Sequence, residues 1–344
     1  GDLSFDAGNP VWNGTRYVGG EFGNAQTASI PNPNPFDSTL RRTWRREITA
    51  GIDHELLPAF RLSVSYISRR TFDPLGDVDA NFPIWDEAFS RVNIREPGRD
   101  GVFGTADDQS ILLYDLNPGF SLTSQDRNDD RFGTRYDGLE IIGTKRYGRG
   151  TTLLAGYTYS DQRIDLTDLD DPNTSLINQK GPTGRKHAFK ASGSMMLPYR
   201  ILLGVNYRIQ SGLPFTRTYT VPECSNNVTS DCLEYDNPSI NVEPRGSLNL
   251  PALSTLDFRA GRLFDVRGQR FEVSMDVYNV ANSNTVFNVR TGSGLTNIRF
   301  ANDPTRPIEQ IQTFMSPTGI LGPRIIRFNV TYWFGPGGSA AGRR

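Results

Sequence analysis

The chain lacks a stretch of about 18 consecutive apolar residues, so it has no segment that reads as a membrane-spanning helix. It has little net charge, −1 over 344 residues, and therefore no basic surplus of the kind that neutralises nucleic-acid phosphates. It has only two histidines and two cysteines, too few for a Cys/His zinc site. Apolar residues spaced at i, i+3, i+4 and i+7 are scarce, so amphipathic helices are not expected. No Ser-His-Asp or Cys-His arrangement has local support, and no two carboxylates are fixed at a glycosidase separation. The chain is therefore read as a non-enzyme.

What is present is turn and strand chemistry: 34 Gly, 22 Pro, 20 Phe and 13 Tyr. Pro323 to Phe334 carries the clearest pattern. Ile326, Phe328, Val330, Tyr332 and Phe334 fall on one face of an extended strand, and Arg327, Asn329, Thr331 and Trp333 on the other. Trp44–Glu55, Phe60–Arg70, Tyr136–Arg146, Thr151–Arg163, Lys186–Leu197, Ile201–Gln210, Thr255–Val266 and Phe271–Val280 repeat the alternation, giving about nine long strands. Arg46 interrupts the apolar face of the first strand near its start, a position tolerable at a membrane interface but costing about 2–4 kcal/mol at mid-bilayer.

The connections alternate in length. Short turns fall near 57–59, 147–150, 198–200 and 267–269, and long polar loops at 71–133, 165–184, 211–253 and 281–322. Bacterial outer-membrane barrels have short periplasmic turns and long extracellular loops. The pattern predicts an all-β, antiparallel transmembrane β-barrel in the outer membrane. Ile326, Phe328, Val330, Tyr332 and Phe334 face lipid, and Arg61, Arg208, Glu272, Asp276 and Arg327 line the interior. Residues 1–42 are expected to be an extracellular loop and 335–344 a flexible tail. An odd strand number leaves open edges, which are costly in lipid. With a start at Gly1 and no signal peptide, truncation is the simplest expectation, with a miscounted strand or a second chain completing the wall as the alternatives.

Several stretches resemble the C-terminal barrel part of TonB-dependent receptors, in the Oar-like group. They are Arg46-Glu47-Ile48-Thr49-Ala50-Gly51 with Leu57-Pro58, Tyr136-Asp137-Gly138-Leu139-Glu140 with Thr144-Lys145-Arg146, and Ala155-Gly156-Tyr157-Thr158-Tyr159-Ser160. Gln210-Ser211-Gly212-Leu213-Pro214-Phe215, Asp276-Val277-Tyr278-Asn279-Val280 and Pro323-Arg324-Ile325-Ile326-Arg327-Phe328 complete the set. The resemblance implies part of a plugged barrel of about 22 strands. It also implies uptake of an extracellular ligand and energy from the TonB complex, with plug, TonB box and remaining strands outside this sequence. A structural or adhesive outer-membrane protein binding a surface partner, a passive porin and a soluble all-β protein are the competing readings.

Three local features are candidate sites. Cys224 and Cys232, in a Pro/Asn/Ser/Asp-rich stretch, read as a disulfide closing a surface loop. Asp100, Asp107 and Asp108, with Glu96 nearby, supply hard oxygen donors around glycine turns and are candidate Ca²⁺ ligands. Asp165, Asp168, Asp170 and Asp171 read as a solvated acidic loop.

Overall fold

A computed structural model describes residues 11–12, 17–18, 37–80, 85–148, 150–166, 169–225, 228–266, 269–293, 296–298 and 310–333. Phe334, Asp168, the tail 335–344 and most of the expected loop 1–42 lie outside the described residues. Val11–Trp12 pairs with Tyr17–Val18 within that loop.

Nine long strands form one antiparallel meander: β1 (Trp44–Leu57), β2 (Phe60–Phe72), β3 (Thr134–Gly148), β4 (Thr151–Ile164), β5 (His187–Leu197), β6 (Ile201–Gln210), β7 (Leu253–Val266), β8 (Gln269–Tyr278) and β9 (Ile325–Trp333). Each pairs with its sequence neighbours, and β1 and β9 are the edges of the sheet. Among the described residues no helix is long and apolar enough to cross a membrane.

The registers carry the sequence alternation across all nine strands. Val330 lies opposite Val273, Phe258 opposite Val205, and Ala191 opposite Ala155. Tyr157 lies opposite Ile141, and Val64 opposite both Ile141 and Ile52. Directly paired residues share a face, so these contacts join into one apolar surface. It is left uncovered: Phe328 is 75% and Val330 73% exposed, and Ile326 and Tyr332 are exposed beside them. The opposite face carries Asp53, Arg61, Thr152, Ser192, Asn206, Arg208, Arg259, Asp276 and Arg327. A one-residue slip in any pair would exchange the two sets.

The tight ends are made by residues that accept unusual backbone angles. Ala59, between β1 and β2, has φ +65°, and Gly150 before β4 has φ +76°. Tyr199 and Arg200 take φ +62° and +58° in the short 3-10 turn Pro198–Arg200. The other ends lead into the four long loops.

Candidate functional site: a loop cap and a polar sheet face

The long loops build a packed cap with its own core. The hairpin of Phe89–Glu96 with Gln109–Leu116 leaves the loop between β2 and β3. Its Ile94 and Leu113 bury against Tyr219, Val221, Leu233 and Ile240 of the loop between β6 and β7, and Ile177, from the loop between β4 and β5, packs onto the same cluster. Each such side chain contributes roughly 1.5–3 kcal/mol by leaving water. A second cluster joins Val78 and Phe132 of the first loop to Leu166 and Leu169 of the second.

Buried polar groups stitch the same loops together. Asn173 is fully buried and behaves like a strand partner of the hairpin: it donates to the Tyr114 carbonyl (2.7 Å) and accepts from the Tyr114 amide (2.8 Å). Asp171 caps the short helix Pro172–Leu176 by accepting from the Asn173 amide at 2.8 Å. It is buried, which corrects the expectation of solvation at this one position of the acidic loop: a free helix start recruits its carboxylate. Arg95 donates its amide to Asp231 at 2.8 Å. Thr218 and the loop between β8 and β9 exchange backbone bonds through Thr291 (2.9 Å) and Ser293 (2.6 Å). The expected disulfide is present: Cys224 and Cys232 are bonded and clamp the outer part of the loop between β6 and β7.

Arg217 is the centre of this cap. Its side chain is 1% exposed and forms an ion pair with Glu96, whose side chain is 0% exposed. It also reaches Glu243 at 3.3 Å and donates to the Ser293 hydroxyl at 2.8 Å. One guanidinium therefore ties three loops through its fixed fork of donors. Glu96 Oε2 is buried and accepts no hydrogen bond among the described residues. Burial, with the Glu96 charge nearby, pushes the Tyr219 hydroxyl up to about 12, so Tyr219 stays neutral.

Glu96 thus faces the cap core and does not join Asp100, Asp107 and Asp108. Gly98, two residues on and in a left-handed conformation at φ +67°, lies at the turn between them. The three aspartates serve as turn acceptors. Asp107 takes the amides of Arg99 (2.6 Å) and Asp100 (3.3 Å) and the Thr105 hydroxyl (2.7 Å). Asp108 takes the Gly104 amide (2.7 Å), and Asp100 the Val102 amide (2.8 Å). Among the described residues no three carboxylate, histidine or cysteine side chains are grouped to hold a metal ion. The oxygens proposed for Ca²⁺ are here engaged by the donors of their own turn.

The Thr105 hydroxyl first, and then the Arg99 amide, hold the Asp107 carboxyl below its usual range. A depressed carboxyl contributes order that is full above its unfolded value, about 3.9, and is lost as pH falls through the folded value. Asp107→Asn is therefore expected to loosen the 96–109 turn at neutral pH. Protease cleavage in this turn reads it out, with the gap between variant and wild type narrowing below about pH 4.

Beneath the cap lies the polar face of the sheet, where the charges are mostly matched. Asp276 accepts from Arg259 (3.2 Å), Arg327 (2.9 Å) and Asn329 (2.8 Å). Arg259 also pairs with Glu272 at 2.6 Å. Arg61 pairs with Asp53 (2.7 Å), and Arg69 with Glu47 (2.6 Å). A groove of about 550 Å³ has Thr152, Ser194, Asn206, Asp257, Arg259 and Asp276 among its lining. A meander with an apolar outer surface, a charged and hydroxylated inner one, short turns at one end and a loop cap at the other has the organisation of a membrane barrel wall. The family model described as outer membrane beta barrel domain matches residues 4–312.

The chain belongs to the outer membrane beta barrel domain family. This barrel domain resides in the outer membrane. No curated protein matches it. Among solved structures it is similar to the ferripyoverdine receptor of the outer membrane of Pseudomonas aeruginosa (13% identity, TM-score 0.43, covering 87% of this chain and 29% of that one). It is also similar to the FrpB iron transporter from Neisseria meningitidis (13%, 0.42, 86% and 32%). The outer membrane transporter YddB from Escherichia coli is a third (10%, 0.42, 86% and 33%). The barrel domain spans about a third of the length of these structures.

The Gln210–Phe215 stretch has a physical reason for its glycine. Leu250 donates its amide to the Leu213 carbonyl at 3.0 Å, and Pro214–Phe215 pairs with Leu248–Asn249. A Cβ on Gly212 would run into the Leu250 carbonyl. The glycine lets the two roots of the loop between β6 and β7 cross at the rim.

Proposed function

We propose that this barrel domain is part of the wall and the ligand-capturing cap of a TonB-dependent receptor of the Oar-like group, acting in uptake and not in catalysis. The observation that carries the reading is the cap itself. Four loops from one end of the sheet are joined through two buried cores and through one buried arginine that ties three of them, and together they present an ordered surface above a polar wall. In this reading the apolar face, with Ile326, Phe328, Val330 and Tyr332, meets lipid. The polar face with Arg61, Arg208, Glu272, Asp276 and Arg327 meets the barrel interior. The remaining wall strands, a plug and the contact with the TonB complex come from residues beyond these nine strands.

The test uses the intact receptor in planar bilayers bathed in potassium chloride, with and without the periplasmic domain of TonB. A plugged receptor is expected to be closed and to retain TonB on a column. A steady open conductance without TonB retention identifies a passive porin. A closed barrel that does not retain TonB, on cells that adhere through this protein, identifies an adhesive one.

A further inference from the structure

One row of the apolar face is not apolar. The registers of β1 to β4 set Arg46 opposite Arg70, Arg70 opposite Arg135, and Arg135 opposite Arg163. Four arginines thus cross four adjacent strands side by side, over about 14 Å at the ordinary strand spacing. They share their face with Ile48, Val64, Ile141 and Ala155, and not with the ion-paired interior side chains.

Directly opposed like charges destabilise a sheet, so such a row calls for counter-charge. The protein supplies half of it. Arg70 pairs with Asp137 at 2.7 Å and Arg163 with Asp161 at 3.0 Å. Arg46 lies over the Phe72 ring at 5.0 Å. Arg135 is exposed, and its side chain has no hydrogen bond or ion pair among the described residues. Two aspartates against four arginines leave two positive charges in excess. At the turn end of the same face cations occur singly: Lys145 lies opposite Phe60 and Leu153, and Arg262 opposite Ile201 and Val273.

The position of the row selects the ligand. It sits at the loop end of the strands. Trp44 and Phe72 stack just beyond it (4.2 Å), and Tyr66, Tyr157 and Tyr159 lie towards the sheet centre. Amphipathic rings gather at the headgroup level of a bilayer. We propose that Arg46, Arg70, Arg135 and Arg163 bind the phosphate groups of anionic lipid headgroups in the outer leaflet. The planar guanidinium matches phosphate oxygens two at a time. Strand tilt carries the row obliquely through the headgroup layer, and the long stems let each guanidinium adjust its depth.

This inference rests on the reading that the apolar face meets lipid, and the experiment separates the two. The intact receptor is reconstituted in phosphatidylcholine bilayers with or without phosphatidic acid, and retained lipids are counted by native mass spectrometry. Arg46→Gln with Arg135→Gln removes the two arginines that have no carboxylate partner. The double variant is expected to bind phosphatidic acid about tenfold more weakly, while Lys145→Gln binds it as wild type does. Heat-modifiable migration on gels confirms that each variant is folded. Equal retention by wild type and double variant overturns the proposal, as does an equal loss in Lys145→Gln. Inorganic phosphate that displaces phosphatidic acid at comparable concentration also overturns it, since the row then reads phosphate without its lipid. A nitroxide at Val64→Cys tests the underlying reading. Relaxation by oxygen is expected, and relaxation by an aqueous nickel complex instead would show that this face meets water, whatever the arginine row binds.

Discussion

Arg217→Ala is expected to open the loop cap while leaving the sheet folded. The substitution strands Glu96 with no counter-charge in a site that is 0% exposed, and it removes the bond to Ser293. Breaking a buried ion pair from one side costs about 3–5 kcal/mol, because the remaining charge has lost its water and its partner. The loss falls on the loops between β2 and β3, β6 and β7, and β8 and β9, which Arg217 joins. Hydrogen exchange should therefore rise in Phe89–Glu96, Thr218–Thr220 and Ser239–Asn241 and stay unchanged in β3 to β7. The double variant Glu96→Leu/Arg217→Met, which removes both charges and keeps apolar bulk, should recover much of the protection. If Arg217→Ala leaves loop exchange untouched, the pair is not what holds the cap. If the double variant is as open as the single, the cost is lost packing and not the stranded charge.

The sheet was legible because each strand faces two different environments. Alternation in Ile201–Gln210 or Ile325–Trp333 repeats every second residue, and that period does not depend on the partner strand. The short and long connections were legible from Pro58, Gly150 and Pro198 against the long Asn/Asp/Pro-rich intervals. The cap was not. Tyr219, Val221, Leu233 and Ile240 meet only through the path of an irregular loop, so no period marks them, and polar composition suggested solvent. Glu96 and Asp100 are close in sequence, and left-handed Gly98 between them separates their surroundings. The arginine row needed the registers of three strand pairs at once. Arg46 alone looked like one defect in an apolar face, and only alignment with Arg70, Arg135 and Arg163 turns it into a pattern.

The two faces of β9 give the second large effect. Phe328 lies opposite Met275 on the apolar face, and Thr331 lies opposite Glu272 on the polar one. Phe328→Arg is expected to lower stability by about 2–4 kcal/mol, the cost of a cation on the lipid side near mid-bilayer. Snorkelling along the strand is limited because Ile326 and Val330 flank it on the same face. Thr331→Arg sets a cation beside Glu272, which already pairs with Arg259 at 2.6 Å, and is expected to change stability by less than about 1 kcal/mol. Urea titration of the reconstituted receptor, followed by gel migration, measures both. Equal losses would mean that both faces meet the same solvent, against a bilayer on one side. A larger loss for Thr331→Arg would invert the assignment and place Arg61, Arg259 and Asp276 towards lipid. Their matched charges and shared hydrogen bonds argue for the interior: an ion network of this kind gains from water at its margin, and the uncovered apolar face gains only from lipid.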